Sequence, residues 1–213
     1  MENIDLKERI TKGAEELFMK YGIRSVSMDD ISHRLSVSKK TIYQYFRDKD
    51  EVVSVVTRLH LEQEEAEMEQ IFTSSRNVIE ELVNISICLR KNVSQINPSL
   101  LLDLRKYHPD GWSRWVDFKN NYIRKAVIRN VENGIKEGYF RPELNVEIVA
   151  TIRLEHVQMG FDDQLFPKER FTLAEVHTQL FDLFAYGLLT EKGRNAFEQY
   201  KKKLEKENKV NQE

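Results

Sequence analysis

The chain has 213 residues, of which 33 are basic and 35 acidic, a formal net charge of −2, and 40% are hydrophobic. That balance supports a packed core and excludes a histone-like coat of positive charge, although local charge is what meets phosphate. One cysteine excludes an intrachain disulfide and a cysteine-based zinc site, and 8 Gly and 4 Pro leave room for long helices.

The charged opening from Met1 to Arg9 lacks the apolar run of a signal peptide. No stretch approaches the ~20 apolar residues of a membrane span, so a cytoplasmic protein without membrane contact is expected. The first helix is predicted over 5–21, with Leu6, Ile10, Ala14, Leu17, Phe18 and Tyr21 on one face and Gly22 as its stop. Ser27 reads as an N-cap followed by Asp29 and Asp30, opening a short helix over 28–35. Ser38 caps a third helix expected over 39–46. Asp48 and Glu51 form a capping pair that opens a fourth helix, predicted to about residue 72. Its five acids between Glu62 and Glu69 read as a solvated face. A fifth helix is expected over 77–97, with Cys88 as a small buried hydrophobe. Pro98 is expected at the first position of a sixth helix, which Pro109 breaks. Asp110 is then expected to cap a long seventh helix reaching Gly138. An eighth is predicted over 146–164. A ninth opens on the capping box Thr172–Glu175 and ends near Leu189. The charged tail from Glu191 is expected to form a last helix that frays into disorder after Lys203. With no alternating apolar pattern and no internal repeat, the fold class is all-α.

Chemistry concentrates near the N-terminus. The second and third helices are separated by about three residues, the spacing of two helices crossing over a tight turn. Ile31, Leu35, Val37 and Ile42 form a miniature core with Leu17 and Phe18. The outward side of the third helix then carries Lys39, Lys40, Thr41, Tyr43, Gln44 and Tyr45. In a helix-turn-helix the start of the second helix reaches base edges in the major groove, where Lys donates to guanine acceptors and the Thr methyl meets thymine. Ser27, Ser38 and Lys49 suit phosphate oxygens. From Arg34 to Lys49 there are five basic residues and one acid, a local net charge of +4. Double-stranded DNA is therefore the expected partner. By contrast, the chain has no His-Glu-x-x-His, no glycine-rich phosphate loop and no Ser-His-Asp arrangement. Neither an enzyme nor a metal or cofactor is expected.

The run from Tyr21 to Ile31 (Tyr-Gly-Ile-Arg-Ser-Val-Ser-Met-Asp-Asp-Ile) and the run from Val37 to Lys49 together resemble the DNA-binding signature of the TetR (tetracycline repressor) family. The resemblance covers about residues 9 to 56. The segment from Gly134 to Arg141 resembles the end of the family's seventh helix. Many members have Gly where Ser36 stands, and a serine in a left-handed turn costs about 1 kcal/mol or less. Others have Gly or Ala where Lys40 stands, so no family operator is borrowed.

The resemblance implies a helix-turn-helix domain over 1–50 and a helical ligand-binding and dimerisation domain over 51–213. It further implies a homodimer that pairs its last two main helices, here through Ile148, Ile152, Leu180, Phe184, Gly187 and Leu188. A pocket for a small-molecule effector is expected between the fifth and eighth helices, near the aromatics Tyr107, Trp112, Trp115, Phe118 and Tyr122. His108 and His156 belong to the same region, as hydrogen-bonded polar groups rather than metal ligands. The function so implied is that of a homodimeric repressor released from its operator by a small molecule. The alternative is a regulator without a ligand, either an activator or one controlled by a protein partner.

Overall fold

Four polar side chains fix where the N-terminal helices begin. Asp5 accepts from the Lys7 N–H, Ser27 from Asp30, Ser38 from Thr41 and Asp48 from Glu51. Each satisfies a backbone donor that the first helical turn leaves without a partner. In the computed structural model, which describes residues 5–210 and their side chains as far as Lys203, these caps open α1 (Leu6–Tyr21), α2 (Met28–Leu35), α3 (Lys39–Tyr43) and α4 (Lys49–Ser74). There follow α5 (Val78–Val93), α6 (Leu100–Tyr107), α7 (Pro109–Asp117), α8 (Arg124–Lys136), α9 (Val146–Met159), α10 (Leu173–Leu188) and α11 (Glu191–Val210). The chain is all-α. Among the described residues the one β-type pairing is an isolated antiparallel bridge between Phe140 and Leu189.

Several boundaries differ from the sequence expectation for local reasons. Helix α3 stops at Tyr43 rather than Phe46. Gln44 and Tyr45 donate three residues back, to Thr41 and Ile42, and this tightening carries Phe46 into the core. Pro98 lies before α6, not in its first turn, because Asn97 is committed elsewhere: its N–H donates to Met19 O at 2.8 Å and its Nδ2 to Lys20 O at 3.1 Å. Pro109, not Asp110, begins α7, and His108 stands at its N-cap position. The expected long seventh helix is interrupted by a π-helical turn, Phe118–Ile123, before it resumes as α8. The re-phased turn buries Lys119, whose ammonium donates to Gln158 Oε1 at 2.7 Å. Helix α9 ends at Met159 instead of continuing to residue 164. Gly160 follows, and a Cβ there would stand 2.6 Å from the His177 ring. Helix α11 is continuous past Lys203 to Val210, where fraying was expected. Residues 1–4 and 211–213, which hold the start of the charged opening and the end of the charged tail, lie outside the described residues.

Two buried clusters organise the packing. The first joins Ile10, Ala14 and Phe18 of α1 to Ile31, Ile42 and Phe46, and continues into Val52, Val53 and Val56 of α4 and Leu101 and Leu104 of α6. The expected miniature core is thus part of a larger one, with Leu17, Leu35 and Val37 at its edge. The second joins α5, α8, α10 and α11 through Ile79, Leu82, Val131, Phe181, Ala185 and Phe197. Within the second cluster the connection after α8 is stitched to the α10–α11 turn, with Arg141 N donating to Leu188 O and Thr190 N to Tyr139 O, both at 2.9 Å. No helix among the described residues is long and apolar enough to cross a membrane.

The turn between α2 and α3 carries backbone strain. Ser36 has φ 54° and ψ 40°, the left-handed region, while Val37 N donates back to Ser32 O at 3.1 Å. A Cβ is disfavoured there and glycine is not. Ser36→Gly is expected to raise the stability of the chain by about 0.5–1 kcal/mol and Ser36→Val to lower it, read as shifts of the denaturant midpoint.

Candidate DNA-reading face and effector cavity

Helix α3 is exposed along the side that faces away from α1. Lys39, Lys40, Tyr43, Gln44 and Tyr45 stand in solvent, Thr41 is half-buried and Ile42 is fully buried as the anchor of the helix. The face is only partly free. Lys39 pairs with Asp29 of α2 at 2.9 Å, an exposed bridge that salt and phosphate compete for. Lys49 is turned inward, its ammonium donating to Ile23 O at 2.6 Å, and burial lowers its pKa. Ser27 and Ser38 are occupied as caps, Ser38 Oγ also lying 2.7 Å from Thr41 Oγ1. Lys40, Tyr43, Gln44 and Tyr45 therefore project most freely.

Behind this module the helices enclose an apolar cavity of about 220 Å3. Its walls come from α4 to α7, the π-helical turn, α8, α9 and α10, and also from Phe18, Met19 and Ile23 of the N-terminal module. Of the aromatics expected around a pocket, Trp115, Phe118 and Tyr122 line it, with Phe118 and Tyr122 stacked at 5.3 Å. Tyr107 lies outside, under the Arg24 guanidinium, and Trp112 packs on the N-terminal core beside Arg105. His108 is buried away from the cavity, its Nδ1 donating to Asp50 Oδ1 at 2.7 Å. His156 does not line the cavity either, and its Nδ1 has no hydrogen-bond partner among the described residues.

The polar residues of the cavity wall carry no pattern visible in the sequence. On the α4–α5 side His60 donates to Glu15 at 2.9 Å, and Asn92 donates to Glu64 at 2.8 Å and to Glu67 at 3.1 Å. Two acids of the expected solvated run, Glu64 and Glu67, thus turn inward, and burial pushes the Glu64 pKa up. Cys88 is half-buried beside Glu67, and burial raises its thiol to about 11, well outside the thiolate range. On the α9–α10 side stand Arg153 and His177, only 6% and 1% exposed. Arg153 Nη1 and both His177 ring nitrogens have no hydrogen-bond partner among the described residues.

Of the six residues expected at a dimer contact, Ile148 and Ile152 of α9 are exposed, Ile148 at 58%. Gly187 of α10 faces open space, as does Leu183, 68% exposed, one turn earlier. Leu180 and Leu188 are buried in the chain's own core, and Phe184 lines the cavity.

Residues 10–56 match the family model described as bacterial regulatory proteins, tetR family. The HTH-type transcriptional regulator YvaF of Bacillus subtilis is 28% identical over 81% of this chain and 90% of its own length. The solved ketosteroid transcriptional regulator KstR2 of Mycobacterium tuberculosis superposes with a TM-score of 0.59 at 22% identity, covering 87% of this chain and 95% of that one. A regulator from Saccharomonospora viridis, solved in complex with choline, superposes with a TM-score of 0.63 at 18% identity, over 87% of this chain and 98% of the other. With its capped helix-turn-helix and all-helical body, this chain is similar to transcriptional regulators of the TetR family, whose N-terminal DNA-binding model it matches over residues 10–56.

Proposed function

We propose that the protein is a homodimeric repressor whose operator affinity is lowered by a small molecule bound in the cavity. The observation that carries this reading is the double role of α6. Leu100, Leu101 and Leu104 face the cavity, while Asp103 on the same helix accepts the Arg24 N–H of the N-terminal module at 2.9 Å. A ligand that changes the position of α6 therefore changes the position of the reading helix. The effect on affinity equals the difference in ligand binding between the two positions. The choline-bound relative of the same fold supports a ligand role for the cavity, and the curated repressor KstR2, 24% identical over 64% of this chain, supports the sign of regulation. A ligand-free regulator is disfavoured by the cavity, since close-packed cores leave few voids larger than a water molecule.

In this reading Lys40, Tyr43, Gln44 and Tyr45, with Lys39 and Thr41, supply contacts to bases and phosphates. Ser27, Ser38 and Lys49 hold the module in shape. The exposed stripe of Ile148 and Ile152 with Leu183 and Gly187 supplies the dimer contact, which sets two reading helices about 34–36 Å apart on successive major grooves.

Two measurements test it. With an operator found by genome-wide footprinting, the double variant Lys39→Ala, Lys40→Ala is expected to bind at least about tenfold more weakly in fluorescence anisotropy. Unchanged affinity excludes α3 as the reading helix. In sedimentation at micromolar concentration the wild type is expected as a dimer and Ile152→Glu, Leu183→Glu as a folded monomer, because two carboxylates in an apolar contact are left unpaired. A wild-type monomer refutes the assembly.

A further inference from the structure

The cavity wall is unequal in charge. Around the α9–α10 side the side chains are apolar except for Arg153 and His177. Among the described residues Arg153 has no ion pair, and the carboxylates of its helix are engaged elsewhere, Glu147 with Arg124 and Glu155 with Lys119 at 3.5 Å. Its nearest compensation is aromatic: the guanidinium carbon lies 5.0 Å from the Phe181 ring centre and 5.4 Å from Phe184. Burial lowers its pKa to about 10, still well above neutrality, so it remains a cation. Burial and the charge of Arg153 hold His177 down to about 4, so the ring beside it is neutral at pH 7. It is wedged between the Gly160 backbone and the edge of Phe161, whose centroid is 4.6 Å away. A third donor without a partner among the described residues, Trp115 Nε1 of α7, also lines the cavity.

A buried cation without a counter-charge is costly, and three unpartnered polar side chains lining one apolar cavity add to that cost. The cost is offset when a ligand brings the missing negative charge and acceptor oxygens. The acid lining the cavity, Glu64 on the α4 side, cannot serve, since it is already held by Asn92 and lies near His60. Glu64 also disfavours an anion at that end and so sets the polarity of any occupant.

We infer that the cavity takes an amphipathic monoanion, a hydrocarbon chain ending in a carboxylate, with the carboxylate on the Arg153 guanidinium and the chain among Met68, Phe72, Leu82, Ile85 and Leu89. This rests on the reading of the cavity as the effector site. The carboxylate accepts from Arg153 Nη1, with the neutral His177 ring able to donate from one nitrogen. The apolar wall rewards each buried methylene of the chain. A trimethylammonium head of the same chain length is excluded by like charge, and an alcohol loses the charge-assisted bond.

The test uses the full chain and three ten-carbon probes below their micelle concentrations: sodium decanoate, 1-decanol and decyltrimethylammonium bromide. By calorimetric titration decanoate is expected to bind about tenfold to a hundredfold more tightly than decanol, and the cation not measurably. Arg153→Met removes the charge and keeps the length of the side chain. It is expected to raise the melting temperature of the free protein, to weaken decanoate by at least tenfold and to leave decanol unchanged or tighter. Arg153→Lys is expected to restore part of the preference for decanoate, which separates a lost charge from a damaged fold. Equal binding of decanoate by Arg153→Met, a wild-type preference for decanol or the cation, or binding of none of the three overturns the inference. Operator release is read separately. Release by decanol or the cation alone refutes the anion assignment and keeps the repressor reading; decanoate binding without release does the reverse.

Discussion

The carboxylate of Asp103 accepts the backbone N–H of Arg24 at 2.9 Å, and six residues earlier Asn97 meets the last carbonyls of α1, Met19 and Lys20. These bonds join two parts of the chain about eighty positions apart. They answer a general demand: the last carbonyls of a helix, and the N–H groups of the turn after it, need partners when buried. Here the partners come from the helical body, not from water or the helix itself. Lys49 braces the module internally through Ile23 O, and His108 with Asp50 adds a further tie to the body. The N-terminal module is therefore positioned by the body, and in the proposed reading a change in α6 reaches it through hydrogen bonds rather than through a loose linker.

The cavity lies on the opposite side of those same ties. Leu101 and Leu104 belong both to its wall and to the N-terminal core, as do Phe18 and Ile23. A core that is close-packed elsewhere is open here, and its polar side chains are left in unequal electrostatic surroundings. At α4 and α5 the acids are hydrogen-bonded by His60 and Asn92. At α9 the Arg153 charge is met only by aromatic faces. The stability given up at Arg153 is available as binding energy for a ligand of opposite charge.

Much of this architecture was legible because helix starts are local. Ser27 with Asp30, Ser38, Asp48 with Glu51 and Thr172 with Glu175 are neighbours in sequence, and each caps the helix its spacing predicts. Residues 21–49 carry their family resemblance in the same local way. What was not legible depends on distant partners. Lys49 reads as a free cation and is turned inward by a carbonyl 26 positions away. Glu64 and Glu67 read as solvated until Asn92 draws them in. The π-helical turn leaves the apolar periodicity of the seventh predicted helix almost intact, so its extra residue is invisible until Lys119 is seen buried. Arg153 sits in a stretch that reads as an ordinary amphipathic helix. Only the packing of Phe181 and Phe184 over it shows that the charge is enclosed. Leu180 and Leu188 fit a dimer stripe by spacing, yet face inward because α10 packs against α5 and α9 over most of its surface.

The account turns on the link between α6 and the N-terminal module, and Asp103→Ala tests that link most directly. Operator affinity is measured by anisotropy with and without a saturating decanoate concentration, in wild type and variant. Coupling between two sites in proteins typically spans about 5- to 150-fold. The account predicts a decrease of operator affinity in that range for the wild type, and less than about twofold for a variant that still binds both decanoate and operator. A variant that keeps the full wild-type response would show that the signal does not pass through Asp103 and Arg24, and would contradict the account.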